Sequence, residues 1–190
     1  HRLGTAYAQA GFSVLLLDVR GRGDSGGTFE MFYSDLNDTV DVIEWAAQQP
    51  FSDGHVSMWG SSYGGYNQWM AAAKGAEGLT SITPGASVYP GWDFPMTTYV
   101  GYPYSSIWPG FTKGRMANFG LFGDQAYWKA AFTDFLESGK PFTELDKFVG
   151  FDTDLFDEWA AHPSHDAYWR GINPSAEEMA GIDLPILSMT

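Results

Sequence analysis

Ser62 sits at the centre of Gly60-Ser61-Ser62-Tyr63-Gly64, a G-x-S-x-G pentapeptide. The chemistry open to such a serine is nucleophilic attack on an acyl carbon. A hydroxyl is a weak nucleophile at neutral pH and needs a base, usually a histidine oriented by a carboxylate. The attack also builds negative charge on the carbonyl oxygen, and the backbone N–H of Tyr63 is placed to be one donor to it. The pentapeptide by itself is a common accident, and its flanks give it weight. "HVSMWG" (55–60) reads as a short strand and "YGGYNQWMAAAK" (63–74) as a helix. A strand–serine–helix turn puts the serine in a strained elbow, with its hydroxyl clear of the sheet and a helix N-terminus beside it. The flanking glycines are expected because a side chain there would collide with neighbouring backbone. Ser61, off-centre, reads as structural. A tight turn carrying an idle serine is the alternative.

A second stretch invites several chemical readings. "DVRGRGDSGGTF" (18–29) contains G-x-G-x-x-G, the tripeptide Arg22-Gly23-Asp24, and a G-D-S-G-G segment like the nucleophile region of chymotrypsin-like proteases. Dinucleotide binding requires a helix opening at the glycines, yet helical periodicity begins only after "TFEMFY". The protease reading requires two β-barrels and a histidine and an aspartate ahead of the serine; the only histidine before Ser25 is His1, and the flanking segments alternate strand with helix. An adhesion tripeptide must protrude. A tight turn leaving a strand, with glycine where positive φ or close packing demands it, is the preferred reading.

The remaining histidines are weaker candidates. His55 opens a strand and reads as a turn residue. His162, His165 and Asp166 fall in "HPSHDAYW" (162–169), which suggests a metal site or a base for Ser62. Pro163 directly follows His162, so the pair does not share a regular helix face. Packing and polar contacts are the preferred reading over either chemical one.

These groups are positioned by an alternation of elements. "LGTAYAQA" (3–10) ends a helix at Gly11. "FSVLLLDV" (12–19) is a continuous apolar run of the kind a central parallel strand needs. Ser34 is a candidate N-cap, with Asp35 and Asp38 in the first turn. Leu36, Val40, Ile43 and Ala47 give one apolar face to a helix over about 35–49. "LTSIT" (79–83) is a further strand. Residues 1–88 therefore read as α/β with a mostly parallel sheet and covering helices. From Pro84 the chain fills with Pro, Gly and aromatics, then turns helical at 125–138 and 154–161. Residues 89–180 read as a mostly helical insertion. Residues 181–190 return to the core, with "LPILSMT" (184–190) as the next strand. Within the insertion Trp92, Phe94, Tyr99, Tyr102 and Trp108 are candidates for an apolar pocket above Ser62, Trp92 and Trp108 foremost. Ordinary core packing is the alternative for each.

Composition narrows the function classes. With 190 residues and 44% hydrophobic content the chain can bury a sizeable core. The net charge of −13 argues against a nucleic-acid partner, which needs clustered Lys and Arg. The absence of cysteine rules out a thiolate nucleophile, a disulfide scaffold and Cys-ligated zinc. No apolar run is long enough to span a membrane. The chain opens on His1 and stops at Thr190 inside an apolar run, so it reads as an internal piece of a longer polypeptide. No stretch specifies an oligomeric state or a compartment.

Taken together, "DVRGRGDSGG", "GSSYGG", "HPSHDAYW" and "LPILSMT" resemble the CocE/NonD hydrolases, the Xaa-Pro dipeptidyl-peptidase-like branch of the α/β-hydrolases. The similarity covers most of the chain and is strongest over 11–84 and 159–190. It implies the α/β-hydrolase fold, a mostly parallel sheet with helices on both faces, carrying an inserted helical cap. It implies Ser62 as nucleophile, the Tyr63 N–H as one oxyanion donor, and ester, amide or short-peptide substrates. No metal and no cofactor are expected. It further implies a catalytic Asp and His beyond Thr190 and a second oxyanion donor before His1. The glycine loop then neighbours the site, where Arg20 is a candidate partner for a carboxylate. Some family members that act on α-amino esters carry a carboxylate shortly after the Ser-Tyr pair. Here those positions are Gly64 and Gly65, which weakens that substrate reading. A non-catalytic binding module with an aromatic cleft is the alternative function.

Overall fold

The computed structural model describes residues 2–98 and 100–189. The chain divides into two compact units, one formed by His1–Val88 with Pro174–Thr190 and the other by Tyr89–Asn173. In the first unit, helix α1 (Arg2–Gln9) is followed by α2 (Asp35–Ala47), strand β1 (Val56–Ser61), α3 (Tyr63–Ala73) and β2 (Leu79–Gly85). The second unit holds the short hairpin β3 (Met96–Thr97) and β4 (Val100–Gly101). Its helices are α4 (Tyr104–Thr112), α5 (Phe119–Phe122), α6 (Gln125–Ser138), α7 (Leu145–Phe148), α8 (Asp154–Ala161) and α9 (Ala167–Ile172). Helix α10 (Ala176–Ala180) belongs to the first unit.

Strands β1 and β2 pair in parallel, from Val56 opposite Leu79 to Ser61 opposite Gly85. A parallel pair needs a crossover, and α3 is that crossover. The core of this unit joins Ile43 of α2 and Ala71 of α3 to Ala76, with Val56, Met58 and Leu79 packed against them. The apolar positions of α2 and the small Ala71 and Ala72 of α3 allow both helices to lie against the same face of β1. Alternate residues Ser57, Trp59 and Ser61 are exposed. Covering helices on both sheet faces, as the family resemblance implies, are therefore not present among the described residues.

The last segment runs as expected in direction but not as a full strand. Ile186 bridges Ile82 and Met189 bridges Gly85, both in parallel. Backbone bonds from Leu187 N to Ile82 O and from Met189 N to Pro84 O hold it beside β2. Pro185 has no N–H to give to the ladder, which leaves isolated bridges. Thr190 lies outside the described residues.

Residues 12–19 differ from the sequence expectation. They form no strand, and Phe12, Val14, Leu15, Leu16 and Leu17 are all exposed. Apolar, strand-compatible composition is not sufficient, because a strand exists only through a ladder partner, and the described residues supply none. Gly11 does end α1 with φ 95°. The loop that follows is a closed turn: Gly21 N donates to Gly26 O at 2.8 Å, and Ser25 Oγ donates to Asp18 O at 2.6 Å. A Cβ on Gly21 would lie 2.2 Å from the Phe29 nitrogen, so no other residue fits. Arg22 is only 9% exposed, with its guanidinium 5.3 Å from the Phe29 ring, which does not suit a protruding adhesion tripeptide. The next helix opens at Asp35, too far from the glycines to cradle a pyrophosphate.

Ser34 sits at the N-cap position of α2 but makes no capping bond with its side chain; the hydroxyl donates to Glu30 O at 3.4 Å. A genuine capping box starts α10. Glu178 N donates to Ser175 Oγ at 3.2 Å, and Ser175 N donates to Glu178 Oε2 at 2.7 Å. Lys74, just after α3, adds a 2.6 Å ion pair to Glu178. Lys74 and the Ser175 donors hold the Glu178 carboxyl down at about 2. Ser175→Ala is expected to cost about 1 kcal/mol, read as a small drop in thermal midpoint.

The second unit has its own core of Trp128, Phe135, Leu145, Val149 and Phe156. Helix α6 starts where the Asp124 side chain accepts from Tyr127 N and stops at Gly139 with φ 66°. Helix α8 is capped in the same way by Thr153. No helix among the described residues is long and apolar enough to cross a membrane.

Candidate active site

The turn between β1 and α3 places Ser62 at φ 57° and ψ −117°, a conformation that costs a non-glycine residue on the order of 1–3 kcal/mol. The turn is held from both sides. Ser62 N donates to Gly85 O at 2.8 Å, which ties it to the end of β2. Its carbonyl accepts from Gly65 N at 2.9 Å and Tyr66 N at 3.0 Å, which begins α3. The Ser62 residue is exposed, and its hydroxyl makes no cap bond to the helix. A helix start with a serine normally uses that hydroxyl as the cap. Here, at φ 57° and ψ −117°, the hydroxyl is left out of the cap. The first amides of α3 are also the positive end of a helix dipole.

Glycine matters at a different place from the one the pentapeptide suggests. A Cβ on Gly64 would meet nothing within 4 Å, and one on Gly60 would make only a 3.4 Å contact with Gly64 backbone. A Cβ on Gly65 would sit 2.2 Å from Ser87 Oγ and 3.0 Å from Gly85 O. Close approach of α3 to the end of β2 requires glycine at 65, the residue just beyond the motif.

Two buried polar side chains brace this turn, and neither was singled out from the sequence. Gln68, fully buried, donates to Gly60 O at 3.0 Å and Gly64 O at 2.7 Å, and accepts from Thr83 N at 2.8 Å. It clasps the residues before and after Ser62 to β2. A glutamine directly ahead of the apolar run "WMAAA" (69–73), on the same helix, is the signal for it. The second is Asp35, 2% exposed, which accepts a hydrogen bond from the Tyr63 phenol. Phe32 N donates to the Tyr63 phenol oxygen at 3.3 Å, and Tyr66 donates to Phe32 O at 3.1 Å. Burial pushes the Asp35 carboxyl up to about 6, against the Tyr63 and Phe32 bonds that lower it. Burial and the neighbouring Asp35 push the Tyr63 phenol well above its ordinary range. Asp35 reads in sequence as a first-turn acid favoured by the helix dipole, and nothing local marks it as buried.

Arg20 pairs with Asp38 of α2 through two hydrogen bonds, the Nε one at 2.8 Å. Trp92 and Trp108 lie in the second unit. Trp92 is 45% exposed, with its carbonyl accepting from Thr98 N at 2.8 Å. Trp108 packs on Phe94, Phe111 and Phe122 at ring separations of 5.2–6.3 Å. A cavity of about 220 Å³ in the same unit is lined by Pro95, Met96, Phe142, Phe156 and Trp159 among others, and by neither of those tryptophans. Tyr99 lies outside the described residues. His162 Nδ1 is 2.7 Å from Asp166 Oδ2, and the His162 ring stacks on Tyr168 at 4.3 Å. Trp169 Nε1 donates to the His162 carbonyl. No cluster of three or more His, Cys, Asp or Glu assembles a metal site among the described residues.

A family model described as X-Pro dipeptidyl-peptidase (S15 family) matches residues 1–190. The chain is 38% identical over 78 residues to cocaine esterase from Rhodococcus sp. (strain MB1 Bresler), covering 41% of this chain and 14% of that protein. It is similar in structure to an aminopeptidase from the marine sediment archaeon Thaumarchaeota archaeon, with TM-score 0.66 and 22% identity over 89% of this chain and 30% of the other. An α-amino acid ester hydrolase gives TM-score 0.66 and 22% identity, covering 90% of this chain and 30% of that one. A CocE/NonD family hydrolase from Staphylococcus aureus gives 0.59 and 20%, covering 88% and 25%. At these structural identities the likeness is one of fold. The chain spans 14% to 30% of the length of these relatives.

Proposed function

Because the chain belongs to the X-Pro dipeptidyl-peptidase (S15) family, we propose that it forms part of a serine hydrolase that cleaves ester or amide bonds through an acyl-enzyme on Ser62. The observation that carries this is an exposed serine held at φ 57° between a strand and a helix, with its hydroxyl spared from capping. The Ser62 oxygen attacks the acyl carbon and gives its proton to a histidine base. The carbonyl electrons move onto oxygen, where the Tyr63 N–H donates a hydrogen bond. Collapse of the tetrahedral intermediate expels the alcohol or amine, which takes the proton from the histidine. Water, deprotonated by the same base, then hydrolyses the acyl-serine and restores the hydroxyl.

The histidine, its carboxylate partner and a second oxyanion donor are assigned to the protein outside residues 1–190, within a complete α/β-hydrolase sheet. Ester and peptide substrates are both favoured by the names of the relatives, cocaine esterase, aminopeptidase and α-amino acid ester hydrolase. Gly64 and Gly65 offer no carboxylate to a substrate ammonium, which tilts the reading toward esters without one.

Treating the full-length protein with a fluorophosphonate and mapping the adduct by mass spectrometry tests the assignment. The expected adduct is on the peptide carrying Ser62, and p-nitrophenyl esters are expected to turn over faster than Ala-Pro or Gly-Pro anilides. Adduct formation at another serine overturns the assignment of Ser62, and no adduct in folded protein overturns it in favour of the binding-module reading.

A further inference from the structure

We infer that Asp35 is a positioning residue for hydrolysis, fixing through the Tyr63 phenol the peptide whose N–H faces the developing oxyanion. The inference rests on the assignment of Ser62 proposed above and adds to it a residue on a different helix. Tyr63 is tethered at both ends. Its backbone leaves the strained Ser62 and enters α3, and its phenol is fixed by the Asp35 carboxylate and the Phe32 amide. Between the two ends, its ring stacks on Phe32 at 5.1 Å and lies 6.2 Å from Tyr66. Phe32 is itself locked, fully buried with φ 69°, and its carbonyl accepts from Tyr66. The result is a closed set of three rings and one carboxylate joining the start of α2 to the first turn of α3.

Packing alone does not explain the carboxylate. Burying an ionisable group is costly, and an apolar side chain of similar volume often serves stability as well or better. The expense is intelligible if direction is what matters. A donor stabilises a transition state best when it is already aimed before the charge develops, and small misplacements of a reacting geometry cost about 10²-fold.

The groups facing Asp35 are Asp38 on its own helix, the Tyr63 and Tyr66 phenols on α3, and the Phe32 amide from the preceding loop. Arg22 of the glycine loop acts on the Tyr63 phenol and on Asp18. The folded carboxyl, pushed to about 6 from an ordinary 3.8, binds its proton more tightly than the unfolded chain does. Its contribution to stability is therefore present below pH 3.8 and lost as pH rises through about 6. Asp35→Asn lacks this term, so the thermal midpoint of the unsubstituted protein is expected to fall relative to that of the variant across the same window.

The test uses the full-length protein, with Asp35→Asn, Tyr63→Phe and the double variant. The readouts are kcat and KM on p-nitrophenyl butyrate and inhibition by phenylboronic acid, whose tetrahedral adduct on a serine places an oxygen where the oxyanion would be. Tyr63→Phe, which deletes the hydrogen bond, is expected to lose about 10- to 100-fold in kcat with little change in KM, and Asp35→Asn, whose amide oxygen still accepts from the phenol but without charge, is expected to show a measurable part of that loss; both are expected to bind the boronate correspondingly more weakly. The double variant is expected to be no worse than the poorer single one, because both act through one hydrogen bond. Unchanged kcat in folded Asp35→Asn, a loss confined to KM, or multiplicative losses in the double variant overturns the inference. Should Asp35→Asn not fold, Tyr63→Phe, which keeps the ring and the N–H, still decides it. Fluorophosphonate labelling separates the two claims. If labelling maps to Ser62 while Asp35→Asn keeps full kcat, only the inference fails. If labelling never involves Ser62, the underlying reading fails with it.

Discussion

Ser62→Ala in the full-length protein is expected to slow p-nitrophenyl ester hydrolysis by about 10⁴-fold or more while leaving the fold intact. The size of the loss follows from the mechanism proposed for Ser62. Without the Ser62 oxygen there is no acyl-enzyme, and what remains is the donor array acting on water. The lack of a structural cost follows from the local geometry. The hydroxyl caps no helix, the residue is exposed, and the hydrogen bonds that hold the turn are made by its backbone N–H and carbonyl. Alanine keeps all of those. Ser62→Gly separates the two properties further, since glycine takes φ 57° without the penalty a side chain incurs there. It is expected to be as inactive as alanine but more stable by about 1 kcal/mol. Steady-state kinetics alongside thermal melts check both statements. Retained activity in Ser62→Ala, or a thermal midpoint that drops with the activity, would mean that the strained turn serves structure alone.

The parts of this site that were legible in the sequence are those written locally. The change from strand-like "HVSMWG" to a helix-like run marks the elbow, and β1 and α3 appear there with Ser62 between them. Helices α6 and α8 fall on the two runs read as helical, 125–138 and 154–161, and the structure puts their ends at Asp124, Gly139 and Thr153. What was not legible depends on partners distant in sequence. Residues 12–19 have the composition of a buried strand, yet they form none and stay exposed, because pairing is decided by a neighbour and not by the run itself. Asp35 follows Ser34 at a helix start and looks like an ordinary acid favouring the dipole. Only the arrival of Tyr63 from α3 makes it a buried acceptor. Arg22, read within an adhesion-like tripeptide, turns out to be buried near Phe29.

The same distinction between local motif and tertiary contact yields the second large effect. Gly64 belongs to the G-x-S-x-G pentapeptide and Gly65 does not, yet the structure reverses their expected sensitivities. A side chain at 65 would drive into Ser87 and into Gly85 O. Ser87 Oγ can rotate away, but the Ser87 Cα and the Gly85 carbonyl, each 3.0 Å from the added carbon, are backbone. That carbonyl is also the acceptor for Ser62 N, so displacing it loosens the hydrogen bond that ties Ser62 to β2. Gly65→Val is therefore expected to cost about 3 kcal/mol or more and to remove activity even at temperatures where the protein stays folded. Gly64→Ala adds a methyl in open space and replaces a helical glycine, which should raise stability by about 0.5–1 kcal/mol. Chemical denaturation of the two variants side by side gives effects of opposite sign if α3 is seated against the end of β2 as described. Equal and small effects at both positions would require α3 to stand farther from that strand, and with it a different path for the chain through Ser62.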